Sequence, residues 1–412
     1  MHTQNSERGK KTMWKRLWLA VVMTLPLVVY AQGENTFVGG SNQFAFDLYA
    51  AAQNEADSNL FFSPFSISQA VGMVYAGAAG DTATQMQSVM GFPEPDTLVA
   101  QVAAVNESLA SRAAAVPEEL SADPFALNIA NALWGQVGYP FEAAYLNAIE
   151  AGYGATLREM DSAQPEAATE EINAWVAEQT EDRIPSIVPE GAITPFTRLV
   201  LTNAIYFNAS WSKPFFPPQP RPFTLLDGST VDAPLMTVNN NIRHTVGAGY
   251  VAVEVPYIAN GLGMIAIAPT DFEAFEDTLD ATTFNSVVAG LGMPQPVILT
   301  MPPFEISSDF LLNEQLQSLG MTDAFLPDAA DFSGITQTVE PFFLSEAIHK
   351  AFVKVDENGT EAAAATAMMM ETTSAAPSPP IEIRLDRPFI FAIYDRETEA
   401  VLFLGRVLDP TA

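Results

Sequence analysis

Two histidines, His244 and His349, lie beyond residue 31 of this 412-residue chain, and it has no cysteine. Thiol catalysis and thiolate metal sites are therefore excluded. A hydroxyl nucleophile needs a base beside it, yet no GxSxG elbow, HExxH pair or phosphate-binding glycine loop occurs. Paired carboxylates such as Glu118–Glu119 and Glu170–Glu171 are adjacent, so on a helix they point to different faces and read as solvated surface. His349 falls in "LSEAIHKAFVKV", a strand pattern, where a hydrogen-bonded core histidine is the plain reading. No enzyme, cofactor or metal is expected on these grounds.

A different kind of chemistry is suggested by residues 355 to 380, "VDENGTEAAAATAMMMETTSAAPSPP". The segment follows a strand-like run but offers four alanines, three methionines and a proline cluster, none able to build a core. An exposed low-complexity loop and an alanine-rich helix are both open from composition.

The elements that must hold such a segment can be traced along the chain. Apolar residues recur at helical spacing over 43–52 and 66–77, and "SPFS" supplies a Ser cap and a Pro at the first position of the second helix. Strands are predicted over 125–136 and 198–211, the latter with Asn203 in a buried run, and a helix over 169–180. Two strands flank Asn260-Gly261, and 387–408 reads as a hairpin around a polar turn. The proline-rich "KPFFPPQPRPF" at 213–223 is read as a turn between two strands, in preference to a polyproline ligand. Irregular alternation of helices and strands indicates an α+β fold.

Composition bounds the partners. Five bases in the first sixteen residues precede an apolar run ending Val29-Tyr30-Ala31, the pattern of a secretory signal over residues 1–31. The run is short of the roughly 20 residues that span a bilayer, so export and cleavage are expected in preference to a retained anchor. The protein would then be secreted, periplasmic or extracellular. Loss of that segment takes the formal charge from −31 to −35. Nucleic acid and anionic membranes would repel so acidic a chain.

Taken together, several stretches resemble one family, the serpins. "NLFFSPFSISQAVGMVYAGAAGDTATQMQSVMGF" is similar to that family's second helix and its approach, and "LVLTNAIYFNASWSKPF" to the central strand of its main sheet. "LLNEQLQSLGMTDAF" with "DFSGIT", "HKAFVKVDENGTEAAAATA" and "RLDRPFIFAI" follow in the family's order. The resemblance spans about residues 42 to 410. It implies one domain over 32–412: a large, mainly antiparallel central sheet, two smaller sheets, about nine helices and an exposed reactive loop at about 357–380. The implied function is suicide inhibition of a serine protease. A serpin-folded carrier without inhibition is the alternative, and an unrelated secreted enzyme a more distant one.

The resemblance gives the loop segment a physical reading. A stretch that is an exposed loop first and a buried strand later must keep bulk and charge off one face of a period-two pattern. With Thr360 facing inward, Ala362, Ala364, Thr366, Met368 and Met370 share its face, while Glu357, Glu361 and Glu371 fall on the other. No proline occurs from 357 to 376; Pro377, Pro379 and Pro380 come after.

By the same resemblance the hinge comprises Glu357, Gly359, Thr360, Glu361, Ala362, Ala363, Ala364, Ala365 and Thr366. Ser63, Ser66, Asn203 and His349 match the polar shutter beneath the strands that part, and Trp211 the breach where insertion begins. Counting from Glu357 puts the cleaved bond between Thr373 and Ser374. Counting back from "DRPF" lands near Pro377, which leaves Met370–Glu371 and Ala375–Ala376 open. No Lys or Arg lies between Lys354 and Arg384, so an elastase-like or subtilisin-like protease is the expected target, with a papain-like cysteine protease as second choice. The helix at about 96–115 has Arg112 as its only base, so no polyanionic polysaccharide is expected to bind there. The protein is expected to be a monomer before complex formation.

Overall fold

Ser63 and Pro64 set the frame. In the computed structural model, which describes residues 36–53, 58–114, 116, 126–259, 261–338, 340–360 and 379–412, the Ser63 side chain accepts the Ser66 N–H and Pro64 opens the helix that follows, as the sequence predicts. That helix, Pro64–Tyr75, is buried at every position, so the sheets assemble around it. In chain order the first elements are α1 (Thr36–Gln53), β1 (Leu60–Phe62), α2 (Pro64–Tyr75), α3 (Gly80–Met90) and α4 (Pro95–Ala114). Next come β2 (Ala126–Gln136), α5 (Ala143–Tyr153), β3 (Leu157–Met160), α6 (Pro165–Gln179) and β4 (Leu199–Ser210). A run of strands follows: β5 (Phe216–Thr224), β6 (Thr230–Gly247), β7 (Tyr250–Pro256) and β8 (Leu262–Pro269). Then α7 (Phe272–Glu276), α8 (Ala281–Gly290), β9 (Gln295–Met301), β10 (Phe304–Leu311) and α9 (Leu312–Ser318) lead to β11 (Leu344–Val355). The chain closes with β12 (Gly359–Thr360), β13 (Ile381–Arg384), β14 (Phe389–Asp395) and β15 (Ala400–Val407).

The described residues thus form nine α-helical segments and two hydrogen-bonded sheets. One sheet has six strands in the order β10-β11-β12-β4-β2-β3, with β11 also paired directly to β4. In the other, β1-β15-β14-β8-β7-β6 continues through the long β6 into β9, β13 and β5, so the two smaller sheets share a strand. The α+β class agrees with the sequence.

Parity along β4 shows how the six-stranded sheet is buried on both faces. Leu199, Leu201, Ile205, Phe207 and Ala209 join the main core with α2 and the nine-stranded sheet. Val200 and Ala204 join a second core beneath α6, with Trp134, Ile172 and Val176. Asn203 has the parity of the first set and therefore faces α2.

The predicted turn at 213–223 is corrected: residues 216–224 form β5, an edge strand antiparallel to β6. Pro220 stands opposite Pro234, and neither has an N–H to exchange, so this is a non-bonded pair. Alternation gives Pro222 the same orientation, away from β6. Thr224 has this parity too, and its N–H goes to Asp386 O. Prolines are tolerated because the N–H groups they remove lay on the free edge.

Candidate functional site

The site lies where β4 and β11 meet. The two strands pair in parallel from Leu199–Leu344 to Tyr206–Phe352. Beyond that point the chain leaves Val355, turns through Asp356, Glu357 and Asn358, and returns as β12 between them. Thr360 is opposite Val355 on one side and Ala209 on the other; Gly359 is opposite Ser210.

Several bonds hold this turn. The Asp356 carboxylate accepts the N–H groups of Asn358 (2.7 Å) and Gly359 (3.2 Å), and its own N–H donates to Gly359 O. Burial raises its pKa above the ordinary aspartate value, a shift that these bonds oppose. Trp211 donates its Nε1–H to Asp356 O (2.9 Å) and its backbone N–H to Asn358 O, while Phe215 N–H goes to Glu357 O. A Cβ at position 359 would lie 2.2 Å from Ala209 O, so only glycine permits this approach.

Thr360 is fully buried. Its neighbours Val355 and Ala209 both face the main core, and so does its side chain, which shares a 2.7 Å hydrogen bond with the Tyr257 hydroxyl. Burial pushes the Tyr257 pKa well up, keeping the phenol protonated. Tyr257 also stacks on Trp211, with centroids 4.5 Å apart and planes 12° from parallel. The inward face assumed for Thr360 from sequence is thus the face it takes. Glu361, Ala362, Ala363, Ala364, Ala365, Thr366 and the bonds at Met370–Glu371, Thr373–Ser374 and Ala375–Ala376 lie outside the described residues.

Further along, where β4 and β11 are paired, a polar row crosses three strands. His349 on β11 is opposite Asn203 on β4, which is opposite Asn131 on β2. The His349 Nε2 accepts the Ser63 N–H at 3.2 Å, so the ring proton sits on Nδ1 and is donated to Asn203 Oδ1. The Asn203 amide N–H groups go to Ser66 Oγ and Asn131 Oδ1. Asn131 Nδ2 returns to Ser66 O (3.2 Å), and Ser63 Oγ donates to Leu402 O (2.7 Å). Full burial drives the His349 pKa down to about 3, and the ring is neutral. The four residues predicted from sequence do come together. Asn131 and Tyr257 were missed; Asn131 carried the same signal as Asn203, an amide within an apolar strand, whereas nothing near Tyr257 pointed to the hinge.

A split strand pair with the start of a third strand inserted, above a polar row and beside a Trp, is the arrangement implied by the resemblance. A model of the family described as serpin (serine protease inhibitor) matches residues 39–410. The chain belongs to the serpins. It is 38% identical over 398 residues to an uncharacterized serpin-like protein of Thermococcus kodakarensis, covering 94% of this chain and 90% of that one. It is also 33% identical over 380 residues to a leukocyte elastase inhibitor of Xenopus tropicalis, covering 89% and 97%. The solved complex of thyroxine-binding globulin with thyroxine superposes with a TM-score of 0.77 at 29% identity, over 90% of this serpin and 99% of that chain. Serpins generally take serine proteases as targets, and most are inhibitors, not enzymes.

Proposed function

We propose that this serpin is a suicide-substrate inhibitor of an elastase-like or subtilisin-like serine protease. The protease cleaves the loop between Thr373 and Ser374, forms an acyl-enzyme and is trapped when the cut loop enters the sheet as a new strand. The observation that carries this reading is β12: Gly359 and Thr360 already occupy the first rungs between β11 and β4, in the register a longer inserted strand would continue. Roughly a dozen further ladder hydrogen bonds at a net ~1 kcal/mol each would release on the order of 10 kcal/mol. That is comparable with the stability of a whole domain, about 5–15 kcal/mol, and is enough to distort a bound protease.

The hinge, shutter and breach roles belong to this proposal, as do export through residues 1–31 and a monomeric state before the complex. Polyanionic polysaccharide has no purchase on α4, because Arg112 is committed to the buried Asp395 (Nη2 to Oδ2, 2.6 Å). Likeness to thyroxine-binding globulin favours, as a second reading, a serpin-fold carrier.

Incubation with elastase and subtilisin, followed by denaturing electrophoresis, decides between these readings. An inhibitor yields a denaturant-resistant complex and a released fragment whose mass begins at Ser374. A fragment beginning at Glu371 or Ala376 moves the bond. Cleavage with no complex and no gain in melting temperature refutes inhibition.

A further inference from the structure

β3 pairs with β2 only along Leu133–Gln136, so among the described residues the stretch of β2 from Ala126 to Ala132 has no strand on its outer side. Among the described residues the space beside it is a cavity of about 790 Å³, walled by α4, β2, the segment from Tyr153 to Arg158, and α6. Small side chains at Ala110, Ala130 and Ala155 keep it open. Its size is that of an ordinary small-molecule site.

Arg158 gives the cavity its chemistry. The guanidinium lies 4.8 Å from the ring centroid of Trp175 and 5.5 Å from that of Trp134, and among the described residues no carboxylate pairs with it. In a chain with 49 acidic and 18 basic side chains, this exposed guanidinium rests on rings and not on an acid. A cation on an indole face keeps its in-plane N–H donors free, and those donors match a carboxylate in two-point geometry. The rest of the wall suits an apolar body: Leu109 and Ile129 face the cavity, and Tyr153 adds a ring whose buried hydroxyl has no partner among the described residues.

We infer that this cavity binds a small amphipathic carboxylate, its oxyanion on Arg158 and its apolar body between α4 and β2. The occupant lies against Asn131, which also lines the cavity and is hydrogen-bonded to Ser66 and Asn203.

The full chain, titrated calorimetrically with 2-naphthoate, tests the site apart from any protease. One equivalent should bind and raise the melting temperature. Arg158→Gln, an exposed and conservative change, should weaken binding by about tenfold or more, as should replacing the probe by neutral 2-naphthamide. Ala110→Phe, which fills the cavity from its exposed rim, should abolish binding while leaving a cooperative melt. Equal affinity for naphthoate and naphthamide, undiminished binding to Arg158→Gln, or no binding to the unaltered chain overturns the assignment. Tighter binding of 2-naphthyl phosphate than of naphthoate overturns the choice of carboxylate.

Discussion

The same two strands, β4 and β11, meet in two ways. Over Leu199–Tyr206 and Leu344–Phe352 they are direct neighbours; at Ala209 and Val355 they stand apart with Thr360 between them. At the closed stretch the contact centres on Asn203 and His349, polar groups hydrogen-bonded to Ser63, Ser66 and Asn131. At the open end a glycine and a threonine form the wedge, and two stacked rings hold its base. Under the proposed inhibition, this difference is what would let the sheet part and still be stable. Interlocked aliphatic side chains would seal the seam, whereas an exchangeable polar row closes it without welding it.

The wedge is the place to break this contrast most severely. Thr360→Arg would bury an unpaired charge, costing several kcal/mol, and Gly359→Val would drive a side chain into Ala209 O. Both variants should lose at least about tenfold in covalent complex yield, since each ~1.4 kcal/mol is a factor of ten. The partition between complex and cleaved product on a denaturing gel measures this, and full complex yield from both would show that the wedge is not the start of the inserted strand.

Acid should weaken the closed stretch. The folded chain holds His349 neutral with a pKa of about 3, below the ordinary 6.5, so between those values the unfolded chain binds the extra proton. Stability from this group is complete above about pH 6.5 and is lost as pH falls toward 3, at up to ~1.4 kcal/mol per unit. Urea midpoints at pH 7, 6 and 5 should fall more steeply for the native chain than for His349→Gln. Equal slopes would mean that the histidine is not the titrating group.

A milder change separates the two regions. Tyr257→Phe removes the bond to Thr360 and should cost about 1 kcal/mol, with the pH dependence of the closed stretch unaltered. Loss of that pH dependence in Tyr257→Phe would show the two regions to be one unit. The smallest effect on stability is expected at Pro220 and Pro222 of β5, opposite β6. Pro220→Thr with Pro222→Thr restores two N–H groups to a free edge, so the fold should change by less than ~0.5 kcal/mol. Light scattering should nonetheless detect more self-association. A strictly monomeric double variant would show that these prolines do not guard the edge.

Where a residue's role depends on neighbours in the chain, it was legible beforehand. Ser63 caps α2 because Pro64 and Ser66 follow it, and the shared parity of Thr360, Ala362 and Ala364 needs only the two-residue period of a strand. The proline run at 213–223 misled because proline is barred from a strand only where its N–H is needed, and that depends on which side β6 lies. Asn131 carried a visible signal, an amide within an apolar run, but its partner could not be read from spacing.

The sequence by itself determined the basic then apolar start of the chain, the acidic charge, the absence of cysteine, the capped central helix and a segment from Glu357 whose acids share one strand parity. These follow from composition and from periods of two and 3.6 residues, both properties of the chain alone. Tertiary structure alone decided that Asn131 completes the row of His349 and Asn203, that Tyr257 lies under Trp211 and against Thr360, and that Arg158 rests on Trp175 beside the edge of β2. Each of these joins elements distant in sequence, and such contacts are set by which faces the packed sheets and helices bury together.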